Sequence, residues 1–221
     1  MAGSAIHYLQ HVPFEGLGCI DDWAARNGCT VTRTRLYDDE PFPDPRGLGS
    51  LFVMGGQMGV NDGDRFPWIE REQRFIARVI ELERPVIGIC LGAQMLASVL
   101  GARVYRNTHR EIGWFPVTMT AAALSTSLFA GFPETITVFH WHGDTFDLPA
   151  GALHCAQSPA CKNQMFLYNE KVLGIQFHFE VTPQGVGDLI NECREEMTSG
   201  EYVQDEAAIR ENLSNIREAN R

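Results

Sequence analysis

The first hundred residues alternate between short apolar runs and stretches whose apolar residues recur at helical spacing. An apolar run at 5–10 ("AIHYLQ") is followed by helical spacing at 18–28 ("GCIDDWAARNG"). The β-branched stretch at 30–38 and the apolar run at 49–56 ("GSLFVMGG") are typical of strands. The stretch 68–83 ("WIEREQRFIARVIELE") places its apolar residues largely on one helical face. The pattern therefore predicts a strand, a helix, two further strands and a second helix.

The next segment, "PVIGICLGAQMLASVLG" at 85–101, carries no charged residue. Its beginning, "PVIGIC", is apolar without alternation, as in a strand that is buried on both faces. Its remainder reads as the following helix, which ends at Gly101. Strands that alternate with helices favour a parallel sheet covered by helices on both faces.

Two uncharged windows, 85–102 and 112–133, approach the length of a membrane span. Glycines and Gln94 interrupt the first window, while Pro116 and a Thr/Ser-rich middle interrupt the second. Both windows are therefore predicted to be buried elements of a soluble fold, and no membrane partner is expected.

After residue 101 the sequence becomes richer in β-branched and aromatic residues. Several segments have the composition of strands, and "YNEK" at 168–171 suits a hairpin turn between the last two. A helix is predicted at about 183–197, and the charged residues 198–221 are predicted to form a helical tail. The predicted strands of this half are 102–107, 113–120, 135–142, 152–158, 163–169 and 171–180.

Together these elements predict an α/β fold, a three-layer sandwich with a central, mainly parallel sheet and a partly antiparallel second half. A chain of 221 residues with 44% hydrophobic content can bury a full-sized core, which suits a single domain over 1–221. Open sheets of this class bind their ligands at the C-terminal ends of the strands. The functional site is expected at that edge.

The formal net charge of −10, from 18 basic and 28 acidic residues, limits the possible partners. Without a basic run, the chain repels nucleic acid, and no nucleic-acid partner is expected. The first residues lack a basic region followed by a long apolar region, so a cytoplasmic location is expected rather than secretion. The six cysteines show no paired short spacing and are expected to be free thiols.

Cys90 lies where the predicted strand meets the predicted helix, between Gly88 and Gly92. In a Gly-x-nucleophile-x-Gly turn, the nucleophile adopts a strained conformation that projects its side chain from the sheet edge. The helix that follows offers backbone N–H groups, beginning with that of Leu91, which favour a thiolate and can bind an oxyanion. The spacing alone fits equally a small buried hydrophobic residue at a strand–helix corner.

A second pattern, "VLGIQFHFE" at 172–180, favours catalysis. On the predicted strand, His178 and Glu180 are two residues apart and therefore share one face. A cysteine nucleophile needs a base, and the base needs an acceptor that orients it, which these two residues can supply. A solvent-exposed strand would explain them less well, because the flanking run is mainly apolar. The two patterns together predict a Cys90–His178–Glu180 triad.

These stretches resemble the class I (triad-type) glutamine amidotransferases, most closely the amidotransferase portion of GMP synthetase and its stand-alone relatives. The nucleophile motif of that family resembles "GICLGAQ" (88–94), and its glycine-rich oxyanion loop resembles "VMGGQMGVND" (53–62). "IQFHFEVTP" (175–183) resembles its His-x-Glu motif, and "HWHGDTFDLPAGA" (140–152) resembles the segment between them. The four stretches occur in the order typical of the family, whose flavodoxin-like fold agrees with the fold predicted above.

The resemblance implies that Cys90 attacks the side-chain amide of glutamine, that His178 protonates the departing ammonia, and that Glu180 orients His178. It implies a glutamyl thioester, which water activated by His178 then hydrolyses, and no cofactor. The oxyanion would be bound by backbone N–H groups of Gly56 and Leu91. The implied substrate-binding residues are Gln94, Gly143 and Asp144.

Gln57 departs from the family pattern, because the oxyanion loop usually has proline after its glycine pair. Gln57 could support the same turn or contact a different substrate. The substrate is therefore either glutamine or another γ-glutamyl amide.

Three functions are compatible with the motifs. The first is a glutaminase-type amidotransferase that delivers ammonia to an acceptor enzyme, such as a separate ATP-dependent synthetase subunit. The phosphate-binding loop of such a synthetase, Ser-Gly-Gly-x-Asp-Ser, does not occur in the sequence, so the acceptor site is expected on another chain. The second is a stand-alone γ-glutamyl hydrolase or peptidase. The third, a non-catalytic relative, is disfavoured because every triad position is present.

A metal site is not expected from the sequence. His140 and His142 have the i, i+2 spacing of metal ligands on a strand, but a catalytic metal would explain none of the Cys90 motif. His154, Cys155 and Cys161 have the wrong spacing for zinc.

The segment "NTHREIGW" at 107–114 has two interpretations. His109 and Glu111 resemble a loop of the family near the pocket. A solvated polar turn is the alternative interpretation.

Overall fold

A computed structural model of the chain describes residues 5–220, which contain one nine-stranded sheet with the order β2-β1-β3-β4-β9-β8-β7-β5-β6. The order places β9, the last strand of the sequence, beside β4. The strands are β1 Ala5–Gln10, β2 Thr30–Arg35, β3 Ser50–Val53, β4 Val86–Ile89, β5 Val104–Met119, β6 Thr135–Phe146, β7 Leu153–Gln157, β8 Met165–Tyr168 and β9 Val172–Ile175.

The sheet has a parallel half and an antiparallel half. Strands β2, β1, β3, β4 and β9 pair in parallel. From β9 onward, β8, β7, β5 and β6 pair antiparallel. The hairpin between β8 and β9 turns at Asn169 and Glu170, which both have positive φ. This arrangement agrees with the predicted parallel sheet followed by antiparallel strands.

Helices cover both faces of the sheet, which confirms the α/β fold. On β3, Leu51 and Val53 pack with the helices at Trp68–Glu81 and Leu91–Val99, while Phe52 packs with the helix at Cys19–Arg26 on the opposite face. Helix α5 packs against Ile175 in the hydrophobic core of the antiparallel half. The helices are α1 Cys19–Arg26, α2 Trp68–Glu81, α3 Leu91–Val99, α4 Ala121–Leu124, α5 Pro183–Glu192, α6 Glu206–Glu211 and α7 Ile216–Ala219.

The strand predicted at 171–180 is too long, because β9 ends at Ile175. There the chain leaves the β4 ladder and crosses toward β6, where the N–H of His178 donates to the carbonyl oxygen of Phe139 at 2.8 Å. His178 and Glu180 therefore lie in a loop after the strand, and their proximity does not come from a shared strand face.

Two other predicted elements differ from the structure. The strands predicted at 102–107 and 113–120 form the single strand β5, whose register with β6 shifts between Arg106 and Glu111. The helix predicted at 183–197 ends at Glu192 and continues as a 3₁₀ turn at Arg194–Glu196.

The tail after residue 198 is only partly helical. Tyr202 and Gln204 bond with both backbone groups of Ile112, so this segment lies alongside β5 before α6 and α7 begin. Ile209 and Ile216 of the two short helices are buried in the core of the antiparallel half. Tertiary contacts thus replace the continuous helix that the charged sequence predicts.

The first uncharged window is largely buried, as predicted, but the second is buried only in its β5 part. After Thr120 most of its residues are exposed, including Leu128 and Phe132, so the prediction is wrong there. The first contains β4 and α3, and the second contains the end of β5 and α4. Within residues 5–220, no helix is both long and apolar enough to cross a bilayer.

Candidate active site

Cys90 occupies a strained turn between β4 and α3. Its backbone has φ 53° and ψ −109°, a conformation that non-glycine residues rarely adopt. The turn is tight: a Cβ atom at Gly92 would lie 1.9 Å from the carbonyl oxygen of Val53, and one at Gly88 would lie 2.5 Å from the backbone of Gly92. Both glycines are therefore required where the strand and the helix pass each other.

The Cys90 thiol is 7% exposed, and its Sγ donates to the carbonyl oxygen of Trp141 at 3.6 Å. Burial raises the pKa of the Cys90 thiol above its ordinary value, while the hydrogen bond and charge of His178 lower it. The thiol therefore depends on His178, as well as on the end of α3, to form a thiolate.

His178 and Glu180 form a buried pair in the loop after β9. His178 Nδ1 lies 2.7 Å from Glu180 Oε1. Burial opposes the charged form of His178, but the Glu180 charge and the hydrogen bonds with Cys90 and Glu180 outweigh it and raise the pKa of His178 well above its ordinary value. The arrangement can accept a proton from the thiol and hold it.

The predicted site residues lie together around one cavity of about 180 Å³. This volume is below the roughly 300–1,000 Å³ of pockets that bind drug-sized molecules, which suits a substrate as small as an amino acid. Glu180 lies behind His178 and lines a neighbouring cavity. The predicted residues that line the main cavity are Gly56, Cys90, Leu91, Gln94, Gly143, Asp144 and His178.

Gly56 and Leu91 are adjacent in the structure. A Cβ atom at Gly56 would lie 3.1 Å from Leu91 Cδ2 and 2.9 Å from Cβ of His11. His11 Nδ1 lies 3.0 Å from the carbonyl oxygen of Gly55, and its Nε2 lies 2.8 Å from Glu72 Oε1. The loop that contains Gly55 and Gly56 is therefore supported by the fully buried pair of His11 and Glu72.

Gln94 lies one helical turn after Cys90 and is buried at the cavity wall. Its Nε2 donates to Gln176 Oε1 at 3.2 Å. This bond orients the amide of Gln94 from behind.

Gln57 contacts the end of α5. Its Nε2 lies 3.2 Å from the carbonyl oxygen of Glu192 and 3.1 Å from Cys193 Sγ. The side chain therefore connects the glycine-rich loop to the C-terminal end of α5 and helps to hold that loop in position.

Glu15 is a site residue that the sequence does not predict. Its carboxyl group lies between the two cavities, and a Cβ atom at Gly55 would lie 2.1 Å from Glu15 Oε2 and 3.2 Å from His178 Cε1. Burial raises the pKa of Glu15 to about 7, although His178 opposes the shift. No spacing in "HVPFEG" could have shown this, because the neighbours of Glu15 are distant in sequence.

Arg106 and Arg110 also line the cavity without having been predicted. A Cβ atom at Gly143 would lie 3.4 Å from Arg110 Nε and 3.6 Å from Arg106 Cζ. Arg110 Nη1 donates to the carbonyl oxygen of Glu196 at 2.6 Å, which fixes its position. In a chain with a net charge of −10, this positive wall suits a carboxylate of the substrate.

Glu111 lies behind the cavity wall and is fully buried, so a solvated turn is the wrong interpretation for this residue. Its carboxylate accepts hydrogen bonds from Ser158 Oγ and Gln164 Nε2, each at 2.7 Å. His142 Nε2 lies 3.0 Å from Glu111 Oε2. His109 instead packs edge-on against Tyr202, with ring centroids 5.2 Å apart.

This fold and site are similar to those of known proteins. The family model "Glutamine amidotransferase class-I" matches residues 21–192. YfeJ of Salmonella typhimurium, described as glutamine amidotransferase-like, is 34% identical over 200 residues, which are 89% of this chain and 84% of YfeJ. A GMP synthase (glutamine-hydrolyzing) of Dehalococcoides mccartyi is 32% identical over 151 residues, or 64% of this chain and only 27% of that protein.

Among solved structures, a glutamine amidotransferase from Thermotoga maritima matches with a TM-score of 0.89 at 30% sequence identity. The match covers 100% of this chain and 94% of that one.

Proposed function

Because the chain belongs to the class I glutamine amidotransferases, as its motifs predicted, we propose that it hydrolyses the side-chain amide of glutamine through Cys90, His178 and Glu180. Enzymes of this family are amide hydrolases with a cysteine nucleophile. One observation carries the proposal: a thiol on a strained turn lies beside a histidine whose second nitrogen is 2.7 Å from a carboxylate.

The reaction would proceed through two half-reactions. His178 takes the proton of the Cys90 thiol as the sulfur attacks the amide carbon, and the resulting tetrahedral oxyanion accepts from N–H groups of Gly56 and Leu91. His178 then gives the proton to the departing nitrogen. The nitrogen leaves as ammonia, and the glutamyl group stays on Cys90 as a thioester. Water attacks the thioester with His178 as base, and the proton passes to the thiol as glutamate forms.

Substrate binding is assigned to the opposite wall of the cavity. Gln94, Gly143 and Asp144 would bind the α-amino and α-carboxylate groups, with Arg106 and Arg110 adding positive charge behind Gly143. The released ammonia would pass to an acceptor enzyme on another chain. The similarity to GMP synthase supports an ATP-dependent synthetase as that partner, although this chain matches only 27% of the synthase's length.

A stand-alone γ-glutamyl hydrolase or peptidase is the second candidate. The observation that favours it is the position of Arg106, whose side chain is 70% exposed at the cavity while it lies 4.0 Å from Asp144. A guanidinium there could bind the extra carboxylate of a γ-glutamyl peptide.

A substrate panel distinguishes the candidates. Glutamine, γ-glutamyl peptides and other γ-glutamyl amides are incubated with the wild-type protein and with Cys90→Ala, and the released ammonia or amine and glutamate are measured. The amidotransferase proposal predicts release of ammonia from glutamine, alone or with a candidate synthetase, and none with Cys90→Ala.

Cleavage of γ-glutamyl peptides while glutamine remains intact would replace the first candidate by the second. If no substrate is cleaved and a glutamine-like electrophile does not label Cys90, the chain is a non-catalytic relative. Arg106→Gln adds a second test. Under the second candidate, the substitution should raise the KM for γ-glutamyl peptides more than it raises the KM for glutamine.

A further inference from the structure

A second group of chemically competent side chains lies between β5 and β6, apart from the catalytic turn. Glu111 pairs with His142 across the two strands, and His140 lies two residues earlier on the same face of β6. Their side chains are 0–1% exposed. One ligand atom from each of the three lies within 4.8 Å of the other two.

The backbone fixes which nitrogen of each ring carries a proton. His140 Nε2 lies 3.3 Å from the carbonyl oxygen of Phe115, and His142 Nδ1 lies 3.1 Å from that of Asp144. A carbonyl oxygen only accepts, so these nitrogens are the donors. In a neutral ring the other nitrogen then has a free lone pair, and in both residues that nitrogen is the one nearer Glu111.

These inward nitrogens are buried, and neither has a hydrogen-bond partner among residues 5–220. His140 Nδ1 lies 3.9 Å from Glu111 Oε1, and His142 Nε2 lies 3.0 Å from Glu111 Oε2, without the geometry of a hydrogen bond. Two lone pairs and a carboxylate repel one another at these distances. A positive charge is required among them.

We propose that Glu111, His140 and His142 bind one divalent transition-metal ion of the zinc class. Two imidazole nitrogens and one carboxylate are a common ligand set for zinc. Ligand atoms about 2.0–2.1 Å from a tetrahedral zinc ion are about 3.3 Å apart. His140 lies 3.9 Å from Glu111 Oε1 and His142 lies 3.0 Å from Glu111 Oε2, so the carboxylate would bind the ion through both oxygens.

The surroundings also match those of a metal site. Histidine ligands usually donate their second N–H to a carbonyl or carboxylate, as both rings do here. Ser158 and Gln164 donate to the two Glu111 oxygens and orient the carboxylate. The site adjoins the catalytic centre, because His142 lines the main cavity and Cys90 Sγ donates to the carbonyl oxygen of Trp141, the residue between the two histidines. The ion would thus fix β6 beside the thiol.

The test measures metal content and affinity. Untagged protein is prepared with Zn²⁺ and dialysed, its metal is counted by mass spectrometry, and its affinity is measured by competition with a chromophoric chelator. The wild type is expected to retain about one equivalent, and His140→Asn and Glu111→Gln are expected to lose at least 10–100-fold in affinity. His154→Asn and Cys90→Ser are the controls and are expected to keep the metal, because neither residue belongs to the group.

The melting temperature provides a second readout. Removal of the metal from the wild type should lower it, and Zn²⁺ should restore it, whereas His140→Asn should respond to neither treatment. The proposal would be overturned if the wild-type protein binds no metal. It would also be overturned if Cys90→Ser loses the metal while His140→Asn keeps it.

Discussion

Two buried histidine–glutamate groups flank the active-site cavity, and they differ in how the histidine is oriented. In the loop after β9, His178 and Glu180 are two residues apart and form a 2.7 Å hydrogen bond. Between β5 and β6, Glu111 and His142 belong to different strands and are 3.0 Å apart without hydrogen-bond geometry. The residue types are the same, but the hydrogen-bond partners of the ring nitrogens differ: a carboxylate for His178, and backbone carbonyls for His140 and His142.

The difference shows that the partner of one ring nitrogen determines what the other can do. The carboxylate occupies one nitrogen of His178 and leaves the other for the Cys90 proton. Backbone carbonyls occupy one nitrogen of His140 and of His142, and the free nitrogens converge on Glu111. The first group is suited to proton transfer and the second to holding a cation.

Removal of one histidine from each group tests whether the two groups have different roles, and it should produce the largest difference in activity. His178→Asn should reduce kcat on the active substrate by about 10⁴-fold or more, because the thiol loses its base. His140→Asn should reduce kcat by less than about tenfold, measured with Zn²⁺ present and on folded protein. Equal losses in the two variants would contradict the separation of their roles.

Glu180→Gln should have the next largest effect, a fall in kcat of about 10²–10⁴-fold. Its physical cause can be measured directly: without the negative charge, the pKa of His178 should fall toward its ordinary value. Ring titration by NMR, comparing Cys90→Ala with Cys90→Ala plus Glu180→Gln, gives this pKa. An unchanged pKa would mean that Glu180 does not stabilise the charged ring.

Glu111→Gln should act on stability more than on the chemical step. The carboxylate is fully buried and accepts from Ser158 and Gln164, so the substitution places an amide N–H₂ against one of these donors. We expect a loss of about 3 kcal/mol in the free energy of unfolding, measured by urea denaturation. Glu211→Gln, the same substitution at an exposed position of α6, is a control that should change little. A loss no larger than that of the control would exclude a structural role for this carboxylate.

Glu15→Gln should change stability by an amount that depends on pH. The pKa of the Glu15 carboxyl is about 7 when folded, above its ordinary value of 4.5. Between these pH values the folded state binds more protons than the unfolded state, so wild-type stability falls as pH rises from 4.5 to 7. The variant lacks this loss. It should be up to about 3 kcal/mol more stable than wild type above pH 7 and no more stable below pH 4.5.

Urea denaturation at pH 4.5, 6 and 7.5 measures this difference. Glu218→Gln, at an exposed position of α7, should show no such trend. A pH-independent difference for Glu15→Gln would mean that Glu15 is already ionised in the folded protein.

The parallel half of the fold could be predicted because its signals are local. The run "PVIGIC" identifies β4 by composition, and Gly88 and Gly92 specify the turn at Cys90, which has positive φ in the structure. The prediction for His178 and Glu180 placed the correct residues together for an incorrect reason. Their strand ends at Ile175 because the chain turns to bond with Phe139, a contact that no local pattern encodes.

The remaining parts of the site depend on contacts between distant segments. Glu15 reaches His178 from the loop after β1, and Arg110 is held by the carbonyl of Glu196. Glu111 belongs to a polar segment with two interpretations, because its burial involves a residue distant in sequence, His142, which lies opposite it on β6. Burial of single polar residues is thus the feature that sequence periodicity predicts least well.

The position of β9 has a consequence for the order in which the protein matures during synthesis. β4 pairs with β9, and the N–H of Cys90 donates to the carbonyl oxygen of Ile175 at 2.8 Å. A nascent chain that has emerged only as far as α3 has an unpaired β4 edge, and its cysteine has no base. Strands β5 to β9 must all be synthesised before His178 can lie beside Cys90. The reactivity that we propose for the thiol and the completed sheet therefore form at the same stage.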